Sequence, residues 1–87
     1  MNAIAKRIHN VSPQPMVLTF ADETTIRMEI ESTEFFQETF QAEGTHDDTR
    51  YRFVSDGDDD PLVAARETND GGWQPVGEVV AVERVET

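Results

Sequence analysis

From Thr24 to Glu31 apolar and polar residues alternate. Ile26, Met28 and Ile30 fall on one side, and Thr25, Arg27, Glu29 and Glu31 on the other. That is the period-two pattern of a strand with one face in a core and one in water. Met16 to Ala21 precedes it as an apolar strand, with Asp22 and Glu23 forming a tight turn between the two. Further on, Thr45 to Asp48 reads as a polar turn and Thr49 to Val54 as a strand that sends Tyr51 and Phe53 one way and Arg50 and Arg52 the other. Ser55 to Asp60 is an acidic loop closed by Pro61. Leu62 to Glu67 and Trp73 to Val85 then form a hairpin around Asn69-Asp70-Gly71-Gly72, a cluster that supplies the positive φ angles a tight turn needs. Val79, Val80, Ala81 and Val82 are apolar on both faces, as in a central strand or in one that bends at Gly77 so that each half buries a different side.

Two stretches fit more than one period. Ile4 and Ile8 are four apart, as on a helix, but with Lys6 between them they also share one side of a strand. We read Ala3 to Val11 as a strand or a short irregular segment, ended by Ser12-Pro13-Gln14-Pro15. Between Ser32 and Gly44, Phe36 and Phe40 suit a short helix near 33–41 that begins at a Ser/Thr cap with Glu34 in its first turn. Phe36, Phe40 and Ala42 equally suit one side of a strand ending at Gly44, which is the reading we adopt. The expected fold is therefore all-β, with α+β as the alternative should 33–41 be helical. A small antiparallel meander would close into a barrel or sandwich, since closure removes exposed strand edges. Residues 1–87 make a single domain, of which 1–15 are irregular or weakly attached. The opening order of apolar strand, acidic turn and alternating strand resembles small SH3-like or Sm-like barrels. That resemblance implies a fold and carries no function.

Charge changes what this fold must do. Eighteen Asp and Glu stand against seven Lys and Arg, a net −11, while 37% of the residues are apolar and patterned, so the chain folds despite its charge. Such a surface repels itself in dilute buffer. At molar salt, where the Debye length is about 3 Å, most of that repulsion is gone. Only Lys6 among the basic residues is a lysine, and this lysine-poor, acid-rich composition resembles that of small cytosolic proteins from salt-accumulating archaea. The resemblance implies carboxylates that serve hydration in brine. With no cysteine, disulfides, thiolate metal sites and cysteine nucleophiles are excluded. Lys6, Arg7, His9 and Asn10 interrupt the first apolar residues, so we expect no signal peptide and a cytoplasmic location.

Candidate chemistry is sparse. Asp56, Asp58 and Asp60 alternate, and Glu67 lies eleven residues after Asp56, where the bidentate carboxylate of a calcium loop would fall. Pro61 occupies the position that must turn through glycine, so a hydrated turn is the simpler reading and a loosely held Ca²⁺ or Mg²⁺ the alternative. Arg50 and Arg52 would either contact phosphate or pair across the sheet with Glu29, Glu43 or Glu78 while Tyr51 and Phe53 fill the core. We adopt the pairing. His46 beside Asp47 and Asp48 suggests a base with its orienter, but sequence neighbours on a turn seldom reach that geometry, and a solvated turn residue is expected. Trp73, after a glycine pair, either plugs the barrel, which we favour, or stands exposed with Pro75 as the anchor of a protein contact. The expectation is a non-enzymatic protein-interaction module without cofactor. Weak divalent-cation binding by the Asp56–Asp60 loop, and a nucleic-acid barrel using Arg27, Arg50 and Arg52, are the alternatives.

Overall fold

The computed structural model describes residues 3–12, 14–37, 39–57 and 60–85. Helix α1 (Ala3–Val11) leads into strands β1 (Met16–Phe20), β2 (Thr25–Phe36), β3 (Thr39–His46), β4 (Thr49–Ser55), β5 (Val63–Glu67) and β6 (Trp73–Arg84). Each strand pairs antiparallel with the next, and β6 returns to pair with β1, so the sheet closes into a barrel. The all-β reading holds, and the helix lies elsewhere than the alternative placed it.

That helix corrects the expectation for 3–11. A strand there would put Ile4, Lys6 and Ile8 on one side and bury an ammonium group. Helical winding instead gathers Ala5, Ile8 and Val11 at spacings of three on one buried face and leaves Lys6, Arg7, His9 and Asn10 in water. The segment packs on the barrel: Ile8 is fully buried in the common core, worth about 1.5–3 kcal/mol for such a side chain. The Ser12 N–H donates to the Ile8 carbonyl and the Gln14 N–H to the Val11 carbonyl, extending the last turn toward β1. Among the described residues no helix is long and apolar enough to cross a membrane.

Residues 32–43 are strand, as read, but interrupted. Gln37 takes φ 58°, and the hairpin pairs Phe36 with Thr39 and Phe35 with Phe40. This turn breaks the alternation that grouped Phe36 with Phe40 and Ala42. Phe40 and Ala42 face the core, Phe35 packs against Phe40 with ring centroids 4.7 Å apart, and Phe36 is 69% exposed. Gly44 does not end its strand, since β3 runs on to His46. A Cβ there would lie 2.8 Å from the Glu29 carbonyl oxygen and 3.0 Å from Ile30 Cδ1, so only glycine fits where β2 bends over β3. The register of that pair slips between Ile30 and Ser32 at the same place.

The two long strands each serve two neighbours. β2 pairs through Thr25–Met28 with β1 and through Glu29–Phe36 with β3. β6 pairs through Trp73–Glu78 with β5 and through Val79–Arg84 with β1. In β6 the change comes at Gly77, with φ 149°, next to a bulge that leaves Val76 unpaired between Pro75 and Gly77, so the bend read from the apolar run is present. Inside the barrel Met16, Leu18, Phe20, Met28, Phe40, Phe53, Leu62 and Val79 are fully or almost fully buried. Strict alternation of direction puts the turns after β1, β3 and β5 at one end. The turn after β2, the loop after β4 and the junction of α1 with β1 lie at the other.

Candidate interaction face

β4 projects as its alternation demands. Tyr51 and Phe53 are buried, and Arg50 and Arg52 stand outside. Cross-strand register sets Glu43 opposite Arg52. One Glu43 oxygen lies 2.8 Å from the Arg50 guanidinium and the other 3.6 Å from that of Arg52. Glu43 is thus the cross-strand partner, of the three considered. Partly exposed pairs of this kind contribute about 0.2–1 kcal/mol each.

The Arg52 guanidinium carbon also lies 4.5 Å from the centre of the Trp73 ring. Trp73 opens β6 on the outward register, opposite Glu67, and is 36% exposed, so it does not plug the barrel. The core reading failed because Phe20, Phe40 and Phe53 already fill the interior. A cation over an exposed indole gains about 0.5–1 kcal/mol. Further along the same wall Val63 and Val80 are exposed, and Pro75 pairs with Ala65. Arg66 donates to the Gln74 side-chain oxygen at 3.1 Å at the end of the barrel, on the register of the buried Tyr51 rather than on this wall. The sequence reading missed Val63 and Val80, although alternation from Ala64 and Val79, both buried, would have turned them outward.

The acidic loop gathers no comparable set. Asp56 and Asp60 are exposed, and Asp58 lies outside the described residues. The buried Ser55 hydroxyl donates toward the carbonyls of Gly57 (3.0 Å) and Asp60 (3.2 Å), so these two oxygens face inward and not toward a cation. Glu67 ends β5, four residues beyond Val63, which is roughly 13 Å along a strand and away from the loop. Among the described residues no group of three or more His, Asp or Glu side chains could hold a metal ion.

His46 closes β3, partly buried. Its Nδ1 is 2.8 Å from the Arg27 carbonyl and its Nε2 3.4 Å from Asp47. The Asp47 carboxylate is almost fully exposed, so this Asp–His neighbourhood lies at the surface of the turn. A cavity of about 650 Å³ beside it is lined by Arg27, Glu29, Glu31, Thr45, Asp47 and Asp48 as well as His46. Arg27 therefore sits among carboxylates on β2, away from Arg50 and Arg52 on their Glu43, and the three form no continuous basic stripe.

Two aspartates hold turns. The Asp70 carboxylate accepts the Thr68 hydroxyl and, at 3.1 Å, the Gly72 N–H, while Gly71 takes φ 86°. Those bonds, the hydroxyl first, keep the Asp70 carboxyl below its ordinary value. Asp22 is lowered likewise, by the Thr24 side chain and then the Thr24 N–H, which it accepts at 3.0 Å.

The model of a family described as a domain of unknown function (DUF8072) matches residues 1–87, and the whole chain belongs to that family. Comparison with curated proteins and with solved structures returns no match.

Proposed function

We propose that this DUF8072 domain is a non-enzymatic protein-interaction module of a salt-rich cytoplasm, and that it docks a partner protein on the outer wall of β4, β5 and β6. The observation that carries this reading is the outward Trp73 with Arg52 stacked on its ring, on a barrel whose interior is already filled. Val63, Val80 and Pro75 extend the apolar surface along the same two strands. Aromatic and arginine side chains are the usual anchors of such contacts, the ring because it buries much area with few rotamers to freeze and the guanidinium because its planar fork both stacks and donates. The rim carries Arg50 and Arg52 against Glu43, Glu67 and Glu78, one net negative charge in a chain of net −11. A partner thus meets little repulsion here, and the chemistry that fits is a neutral, apolar segment laid across Trp73. Apolar burial strengthens in concentrated salt while long-range repulsion is screened, so docking suits the solvent that the composition implies.

The test is a photo-crosslinking amino acid placed at Val63 and, as a control, at Val17, which lies on β1, in cells of the source organism. The expected result is one discrete adduct from position 63, lost in Trp73→Ala and absent from position 17. Its protein component, once purified, should bind the wild type at least tenfold more tightly than Trp73→Ala, a difference of about 1.4 kcal/mol. Equal adducts from both positions, or an affinity indifferent to Trp73, would refute the reading.

A further inference from the structure

We propose that the cavity between the C-terminal end of α1 and the last residue of β6 binds a small oxyanion of the phosphate class. About 240 Å³ in size, it is lined by Arg7, Asn10, Val11, Ser12, Gln14 and Arg84. Among the described residues no acidic side chain lines it, in a chain that has eighteen. Residues 1–20 contain no Asp or Glu at all, so every carboxylate of the protein lies elsewhere in the sequence.

The fold brings the two arginines together for reasons that neither segment shows alone. Val82 pairs with Leu18 and faces the core, and Arg84, two residues on, pairs with Met16 on the same inward register. At that point the barrel ends, and the side chain emerges beneath the helix. Arg7 follows Lys6 on the exposed side of α1 one residue before the buried Ile8. Neither guanidinium is hydrogen-bonded or ion-paired to another described residue, in contrast to Arg50 and Arg52, which share Glu43. Of the last carbonyls of α1, those of Ile8 and Val11 accept the N–H groups of Ser12 and Gln14, and the negative end of the helix favours cations here.

The remaining lining is donor-rich. Asn10 and Gln14 carry amide NH₂ groups, and the Ser12 hydroxyl, screened from solvent, has no hydrogen-bond partner among the described residues. A buried hydroxyl without a partner is an uncompensated cost that a bound acceptor would remove. Guanidinium groups present planar forks that match the paired oxygens of phosphate. The net charge of the protein opposes any anion in dilute buffer; molar salt screens that long-range repulsion and weakens the arginine–phosphate attraction too, while the contact hydrogen bonds remain. Binding to a nucleic-acid backbone, with many phosphates, loses affinity far more steeply as salt rises.

The experiment is a titration of the full chain with inorganic phosphate in molar KCl at neutral pH, followed by backbone amide and arginine Nε–H chemical shifts. Saturable shifts at Arg7, Asn10, Ser12, Gln14 and Arg84 are expected. Arg84→Gln should weaken binding roughly tenfold or more, as the loss of a bidentate charged contact implies. Arg7→Gln, which alters an exposed helical position, should do the same and serves if Arg84→Gln fails to fold. Shifts that do not saturate, that persist unchanged in both variants, or that appear with one midpoint at every arginine would overturn the proposal. So would a short oligouridylate that binds these residues more tightly than phosphate and is released as KCl is raised.

Discussion

The two ends of the barrel are closed by different means. At one end three turns stand without a cover, and they are built by acidic residues: Asp22 and Glu23 after β1, Asp47 and Asp48 after β3, Asp70 within the loop after β5. Glu23, Asp47 and Asp48 take positive φ themselves, and Asp22 and Asp70 accept backbone N–H groups. At the other end a helix without a single acidic residue lies over the opening, buries Ala5, Ile8 and Val11, and is further held by His9, whose Nδ1 is 2.8 Å from the Thr33 hydroxyl. The comparison teaches that carboxylates shape the uncovered turns and are absent from the helix itself, while the acidic loop after β4 lies exposed at the helix end. Repulsion among eighteen acids is tolerable at exposed turns, where water and salt reach them, and would be costly across a buried seam.

The sharpest way to break the comparison is to unseat the helix. Ile8→Ala should lower unfolding free energy by about 2–5 kcal/mol, the cost of emptying a buried aliphatic site. Denaturant unfolding in molar KCl would measure it, and a loss under about 1 kcal/mol would mean that α1 merely rests on the barrel. That helix was the least legible part of the chain. With Lys6 midway between Ile4 and Ile8, two periods fit nine residues equally, and only the barrel opening decides between them. The hairpin around Asp70 was the most legible, because its turn chemistry is local. Phe36 and Trp73 fell between: each sits beside a turn, where one residue of slippage exchanges core for solvent, and no local signal told that the interior was already full. That Arg7 and Arg84 line one cavity was invisible in the sequence because their segments come together only when β6 closes on β1.

At the uncovered end, Glu23 takes φ 73°, a conformation glycine reaches freely and glutamate does not. Glu23→Gly should therefore raise stability by about 0.5–1 kcal/mol, relief of strain outweighing the added freedom of the unfolded chain. Asp48→Gly should gain less, since aspartate tolerates the left-handed region better. A net loss in Glu23→Gly, read as a lower denaturation midpoint, would show that the Glu23 side chain does more than bend the chain.

Removing a carboxylate that makes no turn gives the control. Glu43 lies on the wall between the ends and pairs with Arg50 and Arg52 at partly exposed positions. Glu43→Gln should cost about 0.2–1 kcal/mol in dilute buffer and less in molar KCl, where such pairs are screened. A cost that stays constant with salt would mean that Glu43 acts through packing and not through charge.

The smallest expected effect is also the one that isolates a turn carboxylate by its protonation. The Asp70 carboxyl is held below its ordinary value by the Thr68 hydroxyl and then the Gly72 N–H, so the folded state releases this proton more readily than the unfolded one. Its contribution is therefore fully present above the ordinary aspartate value, about 3.9, and is lost as pH falls through the lower folded value. The denaturation midpoints of wild type and Asp70→Asn, followed from neutral pH into acid, should differ slightly and by a constant amount above about pH 5 and converge below that range. Convergence in the opposite direction, with the gap widening in acid, would mean that the protonated carboxyl is the form the loop prefers. The turn would then be held by a neutral hydrogen bond rather than by its charge.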